Sequence, residues 1–162
     1  MSLTDDFLQE LQAVVGKTHQ RVSVSAGPRR LRCEVDRCDS LAVAVYEFVL
    51  ETAELANVDI AKLKTASRSL CDRVTYLLEP ISPIETDADG CVIQMRSHPP
   101  QQNDHGRYYY ELLLTRGGAL AMFRYEKNPG SVRTRVAAML THEVLGRLAE
   151  DFDATVADLL AG

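Results

Sequence analysis

The sequence predicts an α+β fold: an antiparallel sheet built from hairpins and packed against four to five helices. Three observations carry that expectation. Pairs of short runs with alternating apolar residues are separated by turn residues, which is the hairpin signature. Other stretches space their apolar residues three and four apart, the repeat of a helix. The two patterns come in blocks, in the order α-ββ-αα-ββββ-α, and not as single strands alternating with helices, so a doubly wound parallel sheet is not expected. The 162 residues are read as a single α+β domain over 1–162.

The strongest strand signal is Arg107 to Lys127, RYYYELLLTRGGALAMFRYEK. Glycine adopts positive φ without a side-chain clash, so Gly117-Gly118 between β-rich runs reads as a two-residue hairpin turn. Centring the turn there sets Leu112 opposite Phe123, Tyr110 opposite Tyr125 and Glu111 opposite Arg124. The Leu112–Phe123 face is the expected core. The other face is polar at its open end and apolar near the turn, where Leu113, Leu120 and Met122 would be covered by a helix or bind a partner.

The remaining elements follow in order. Leu3, Phe7, Leu11 and Val14 recur at helical spacing, with Ser2 or Thr4 to cap and Asp5 and Asp6 suited to the helix dipole, so a helix is expected over 3–16. A second hairpin turns at Gly27-Pro28 and sets Val24 opposite Leu31, Val22 opposite Cys33 and Arg21 opposite Glu34. Residues 40–56 (SLAVAVYEFVLETAELA) are apolar on nearly every side and are read as a buried helix. Asp59 caps a further helix, which Pro80 and Pro83 stop just past Leu78. Short strands flank Asp87-Ala88-Asp89-Gly90, with Cys91, Ile93 and Met95 on one face. Residues 97–106 form a polar loop. Ser131 caps a last long helix, and Asp153 restarts a short final one.

Composition narrows the function classes. The formal net charge is -5, whereas phosphate backbones call for a basic surface, so nucleic acid is not expected as a partner. No apolar run approaches the length of a bilayer span, and the acidic amphipathic start does not read as a signal peptide. A cytoplasmic protein with no membrane contact is the expectation. The cysteines at 33, 38, 71 and 91 form no C-x-x-C pair and are expected to be reduced.

Few residues carry chemistry. His142-Glu143 lacks the second histidine of a zinc-protease helix, since Gly146 stands at that position. His98, Asp104 and His105 bracket one loop and would serve a small-molecule site or an enzyme. They lack further ligands at a tight spacing, so no metal and no cofactor is expected. Cys38, at a strand-to-helix junction, would have a lowered pKa if it were exposed at a helix N-terminus. Arg29, Arg30 and Arg32 form a short basic cluster, Arg133 and Arg135 add charge at the start of the expected last helix, and together they would suit an anion or phosphate.

The arrangement resembles small acidic chaperones and adaptors with a helix-backed antiparallel sheet, in architecture alone. With no catalytic constellation and excess apolar surface on residues 40–56 and around Leu113, Leu120 and Met122, the function expected is a non-enzymatic, adaptor- or chaperone-like protein-interaction domain. Its partner would be another protein or a second copy. The homodimer expectation rests on the all-round apolar helix 40–56, which one sheet cannot cover.

Overall fold

The computed structural model describes residues 2–161. The architecture is α+β, with a ten-stranded antiparallel sheet and three α-helices among the described residues. Helix α1 spans Leu3–Ala13. It is followed by the meander β1 (Thr18–Ala26), β2 (Arg29–Cys38) and β3 (Ala42–Thr52). A short 3₁₀ turn, Ala53–Leu55, leads to α2 (Ile60–Arg73). Strands β4 (Ile81–Asp87), β5 (Val92–Ser97), β6 (Gln101–Asn103), β7 (Gly106–Thr115), β8 (Ala119–Lys127), β9 (Thr134–Val136) and β10 (Ala138–Thr141) precede α3 (His142–Ala161). The strand order is β1-β2-β3-β8-β7-β5-β4.

Local chemistry sets several boundaries. Ser2 accepts the Asp5 amide while the Asp5 carboxylate accepts the Ser2 amide, so α1 starts on a reciprocal capping box. The side chain of Asp59 accepts the Lys62 amide and starts α2. The hairpin β1–β2 has the expected register, with Val24 facing Leu31, Val22 facing Cys33 and Arg21 facing Glu34. Gly27 sits at φ 57°, the left-handed conformation its tight turn requires.

One expected helix is a strand instead, and the first part of another is two short strands. Residues 42–52 form β3, which pairs with β2 on one side and with β8 and β10 on the other. Val43, Val45, Phe48 and Leu50 point into the main core, while Val49 is buried on the opposite face. A strand buried on both faces is apolar throughout and mimics an all-round apolar helix. The concentration of β-branched and aromatic residues in this run (Val43, Val45, Tyr46, Phe48, Val49) decides for the strand. Residues 134–141 likewise form β9 and β10, and α3 starts at His142 and runs unbroken past Asp153. These changes reduce the expected four to five helices to three.

β9 and β10 fill a fork in the sheet. The second half of β3 pairs with β8 at Phe48–Met122 through Glu51–Ala119, whereas its first half pairs with β10 at Ala138–Val45 through Thr141–Ala42. β9 pairs with the far half of β8. Ala137 is the corner between β9 and β10.

The central hairpin β7–β8 closes one residue away from the expected register. Thr115 faces Ala119, Leu112 faces Met122, Glu111 faces Phe123 and Tyr110 faces Arg124. The loop is therefore three residues, Arg116-Gly117-Gly118. Gly118 takes φ 112° and lies against the end of β3, where its carbonyl accepts the Thr52 amide at 2.8 Å. A Cβ at Gly118 would stand 2.8 Å from the Thr52 carbonyl oxygen, so the close approach needs glycine. The shift turns β8 over. Leu120 and Met122 lie buried in the main core, and Phe123 and Tyr125 lie on the face away from the helices.

Helices α1, α2 and α3 cover one face of the sheet. The Phe48 ring meets Phe7 of α1 and Phe152 of α3 edge-on, with centroids 5.6 and 5.1 Å apart. The opposite face is covered by the chain's own arginines. Arg133 lies over the Tyr125 ring at 3.9 Å, Arg135 over Phe123 at 4.1 Å and Arg96 over Tyr109 at 4.6 Å. No helix among the described residues is long and apolar enough to cross a membrane.

Candidate functional site

The segment after α2 and the β9–β10 corner enclose a cleft of about 700 Å³ at the forked end of the sheet. Its rim is apolar, formed by Leu78 and Pro80 on one side, Pro99 and Pro100 on a second, and Val136 and Met139 on a third. Leu78 is 96% exposed and Met139 60% exposed, and both belong to the few large apolar side chains open to solvent. Leu78 also holds φ 65°, a backbone conformation that costs a branched aliphatic residue strain. A strained residue that presents leucine to water at a cleft mouth is the kind of local conflict that accompanies binding sites.

Inside the rim lies an ion pair. Arg124 Nη2 is 3.0 Å from Glu79 Oε2, and the two side chains are only 11% and 10% exposed. Nη2 also donates to Gln101 Oε1 at 3.0 Å. The guanidinium rests on the Tyr110 ring at 4.3 Å and borders Tyr108. The remaining atoms of the pair are unmatched: Arg124 Nη1 and Glu79 Oε1 are buried without a hydrogen-bond partner. Each such atom costs about 1–3 kcal/mol, and more where it belongs to a charged group. Two of the three unmatched buried side-chain atoms among the described residues thus belong to one pair lining this cleft.

The residues singled out from the sequence fall elsewhere. His98 and His105 lie at opposite ends of β6: the His98 amide donates to the Pro80 carbonyl, and the His105 amide to Asn103 Oδ1 in the hairpin turn. A small hollow of about 330 Å³ includes Asp104 but neither histidine. The loop they bracket is itself part strand, since Gln101–Asn103 pairs with Tyr108 through Gly106. No group of three or more His, Cys, Asp or Glu side chains among the described residues is arranged to hold a metal.

Arg29 is tied to Glu54 at 2.8 Å and to Asp153 at 2.7 Å, which joins β2 to α3, and these partners raise its already high pKa. Arg30 donates to Ser23 across the β1–β2 hairpin. Arg133 and Arg135 do not stand at a helix start; they flank and form β9 and lie on the aromatic face. Leu120 and Met122 point at the helices, and only Leu113, half-buried, stays on the face away from them.

One Cys–His approach was not legible in the sequence. Cys38 Sγ lies 3.7 Å from His142 Nε2. Nε2 is 2.7 Å from the Asp39 carbonyl oxygen, which only accepts, so Nε2 carries a hydrogen and does not take one from the thiol. Burial pushes the Cys38 thiol up, with the nearby Asp39 charge adding to it. The pair therefore lacks the arrangement of an activated thiolate. Burial also pushes the Cys71 thiol up to about 11, and Cys33 and Cys91 are buried. Burial thus holds the Cys38 and Cys71 thiols in the protonated form at pH 7. The folded chain is expected to react slowly with Ellman's reagent, faster as the pH rises, and to yield four thiols in denaturant. A rapid equivalent at pH 7 would show a thiolate that this geometry does not provide.

No protein-family model matches the chain, and no curated protein or solved structure is similar to it.

Proposed function

We propose that this chain is a non-catalytic binding domain that receives a segment of a partner polypeptide in the cleft of Leu78, Met139 and Arg124. The observation that carries this reading is the combination of an open apolar rim with a buried, half-matched ion pair. Apolar side chains of a partner would remove Leu78 and Met139 from water, and each square ångström so buried is worth about 25 cal/mol. A second copy of this chain is one possible partner. Residues 40–56 do not argue for it, because β3 is a strand with Phe48 and Leu50 in the main core and Val49 buried on the opposite face.

Selection of random heptapeptides on the immobilised chain tests the reading. Enriched peptides are expected to lose about tenfold or more in affinity to Leu78→Asp and to Met139→Asp, as for apolar anchors at an interface. Both side chains are exposed, and aspartate tolerates the positive φ at position 78 better than leucine does, so neither change threatens the fold. Failure to enrich any peptide, or affinities indifferent to both substitutions, would remove the cleft as the binding site.

A further inference from the structure

The unmatched atoms of the ion pair specify what the cleft holds. Arg124 Nη1 is a donor and Glu79 Oε1 an acceptor, on one pair lining one cleft. Glu79 neutralises Arg124 at 3.0 Å. A free anion drawn to the guanidinium would meet the carboxylate beside it, and a free cation would meet the guanidinium. A neutral group with one acceptor and one donor side by side satisfies both atoms. An extended residue is such a group, because its own N–H and C=O project to the same side of the chain, as in a hydrogen-bonded antiparallel pair. The Glu79 carboxylate turns about a soft terminal torsion, so Oε1 reaches a ligand without backbone movement. The stack on Tyr110 holds the guanidinium plane in place.

We infer that the cleft grips the main chain of one extended, apolar residue of a polypeptide, its N–H donating to Glu79 Oε1 and its C=O accepting from Arg124 Nη1. This rests on the reading of the cleft as a polypeptide site. The apolar side chain of that residue lies on the rim of Leu78, Met139 and the prolines.

Three small probes separate this arrangement from its alternatives: N-acetyl-leucine N-methylamide, the N-acetyl-leucine carboxylate and inorganic phosphate. Each is titrated into the labelled full chain and followed by NMR. The amide is expected to shift the methyl signals of Leu78 and Met139 and the ring signals of Tyr110 saturably. The carboxylate is expected to bind about tenfold more weakly, and phosphate not at all, because Glu79 opposes both. Glu79→Gln removes the opposing charge but leaves one oxygen to serve both Arg124 and the ligand N–H, so it is expected to weaken the amide and to improve the carboxylate about tenfold. A residue with only a structural role would not reverse the preference. Equal or tighter binding of the carboxylate or phosphate to the unsubstituted chain would overturn the inference, as would a cleft that no probe shifts. If selected heptapeptides require Leu78 and Met139 while the amide shows no advantage, the polypeptide site stands and the main-chain grip falls.

Discussion

Phe48→Ala is expected to destabilise the chain by about 3–5 kcal/mol, the cost of emptying a fully buried phenylalanine site. Phe48 is wholly inaccessible and stands at the meeting point of three elements. Its ring contacts Phe7 of α1 and Phe152 of α3 edge-on, and its backbone lies in β3, opposite Met122 of β8. Truncation removes the buried ring and both aromatic contacts, each worth about 0.5–1.5 kcal/mol beyond area. Collapse of the cavity would require α1 and α3 to move together, and α3 is also tied to β2 by the Arg29–Asp153 pair. Phe48→Leu is expected to retain most of the stability, since it keeps most of the apolar contact. Urea melts followed by circular dichroism measure both variants. A Phe48→Ala loss below about 1 kcal/mol, the size of a surface change, would place this ring outside the core.

Position 48 also shows where the sequence was legible and where it was not. The hairpin β1–β2 was readable to the residue because its turn and its alternation agree. Gly27-Pro28 fixes the loop, and Leu31, Cys33 and Val35 all point to one face. Around Phe48 the alternation is interrupted, because β3 bulges at Tyr46 and buries Val49 between Glu47 and Glu51 on its second face. The β7–β8 register failed for a different reason. Two glycines suggested a two-residue turn, but Gly118 is used to approach Thr52 of a strand far away in sequence, and no local pattern reports that contact. The cleft was illegible for the same kind of reason. Glu79, Arg124 and Tyr110 come from three separate stretches, and Arg124 had been matched to Glu111 through the wrong register. Leu78 is visible in the sequence only as the last residue of the expected helix. What its residues could not reveal alone is that α2 ends at Arg73 and that Leu78 then turns outward.

Glu111→Ala is expected to cost about 2–4 kcal/mol, near the low end for breaking a buried ion pair. Glu111 is only 2% exposed and lies on the face of the sheet that no helix covers. Its Oε1 accepts from Arg133 Nη1 at 2.9 Å, from Arg96 Nη2 at 3.5 Å and from the Gln94 side chain. The two arginines lie over Tyr125 and Tyr109, so one carboxylate anchors the guanidinium cover of the aromatic layer. Without it, the arginines lose their counter-charge against an apolar surface. Both are about one-third exposed and can turn into solvent, which keeps the loss below that of a sealed pair. Their departure would wet Tyr109 and Tyr125 and forfeit contacts worth about 0.5–2 kcal/mol each. Glu111→Gln retains an acceptor oxygen and is expected to fall between the parent and the alanine variant. The chain contains six tyrosines and no tryptophan, so tyrosine emission reports the exposure directly. The expected result is a lower urea midpoint for Glu111→Ala, together with greater quenching of native-state tyrosine emission by acrylamide. An unchanged midpoint with unchanged quenching would show that the arginines stay over the aromatic rings by stacking alone.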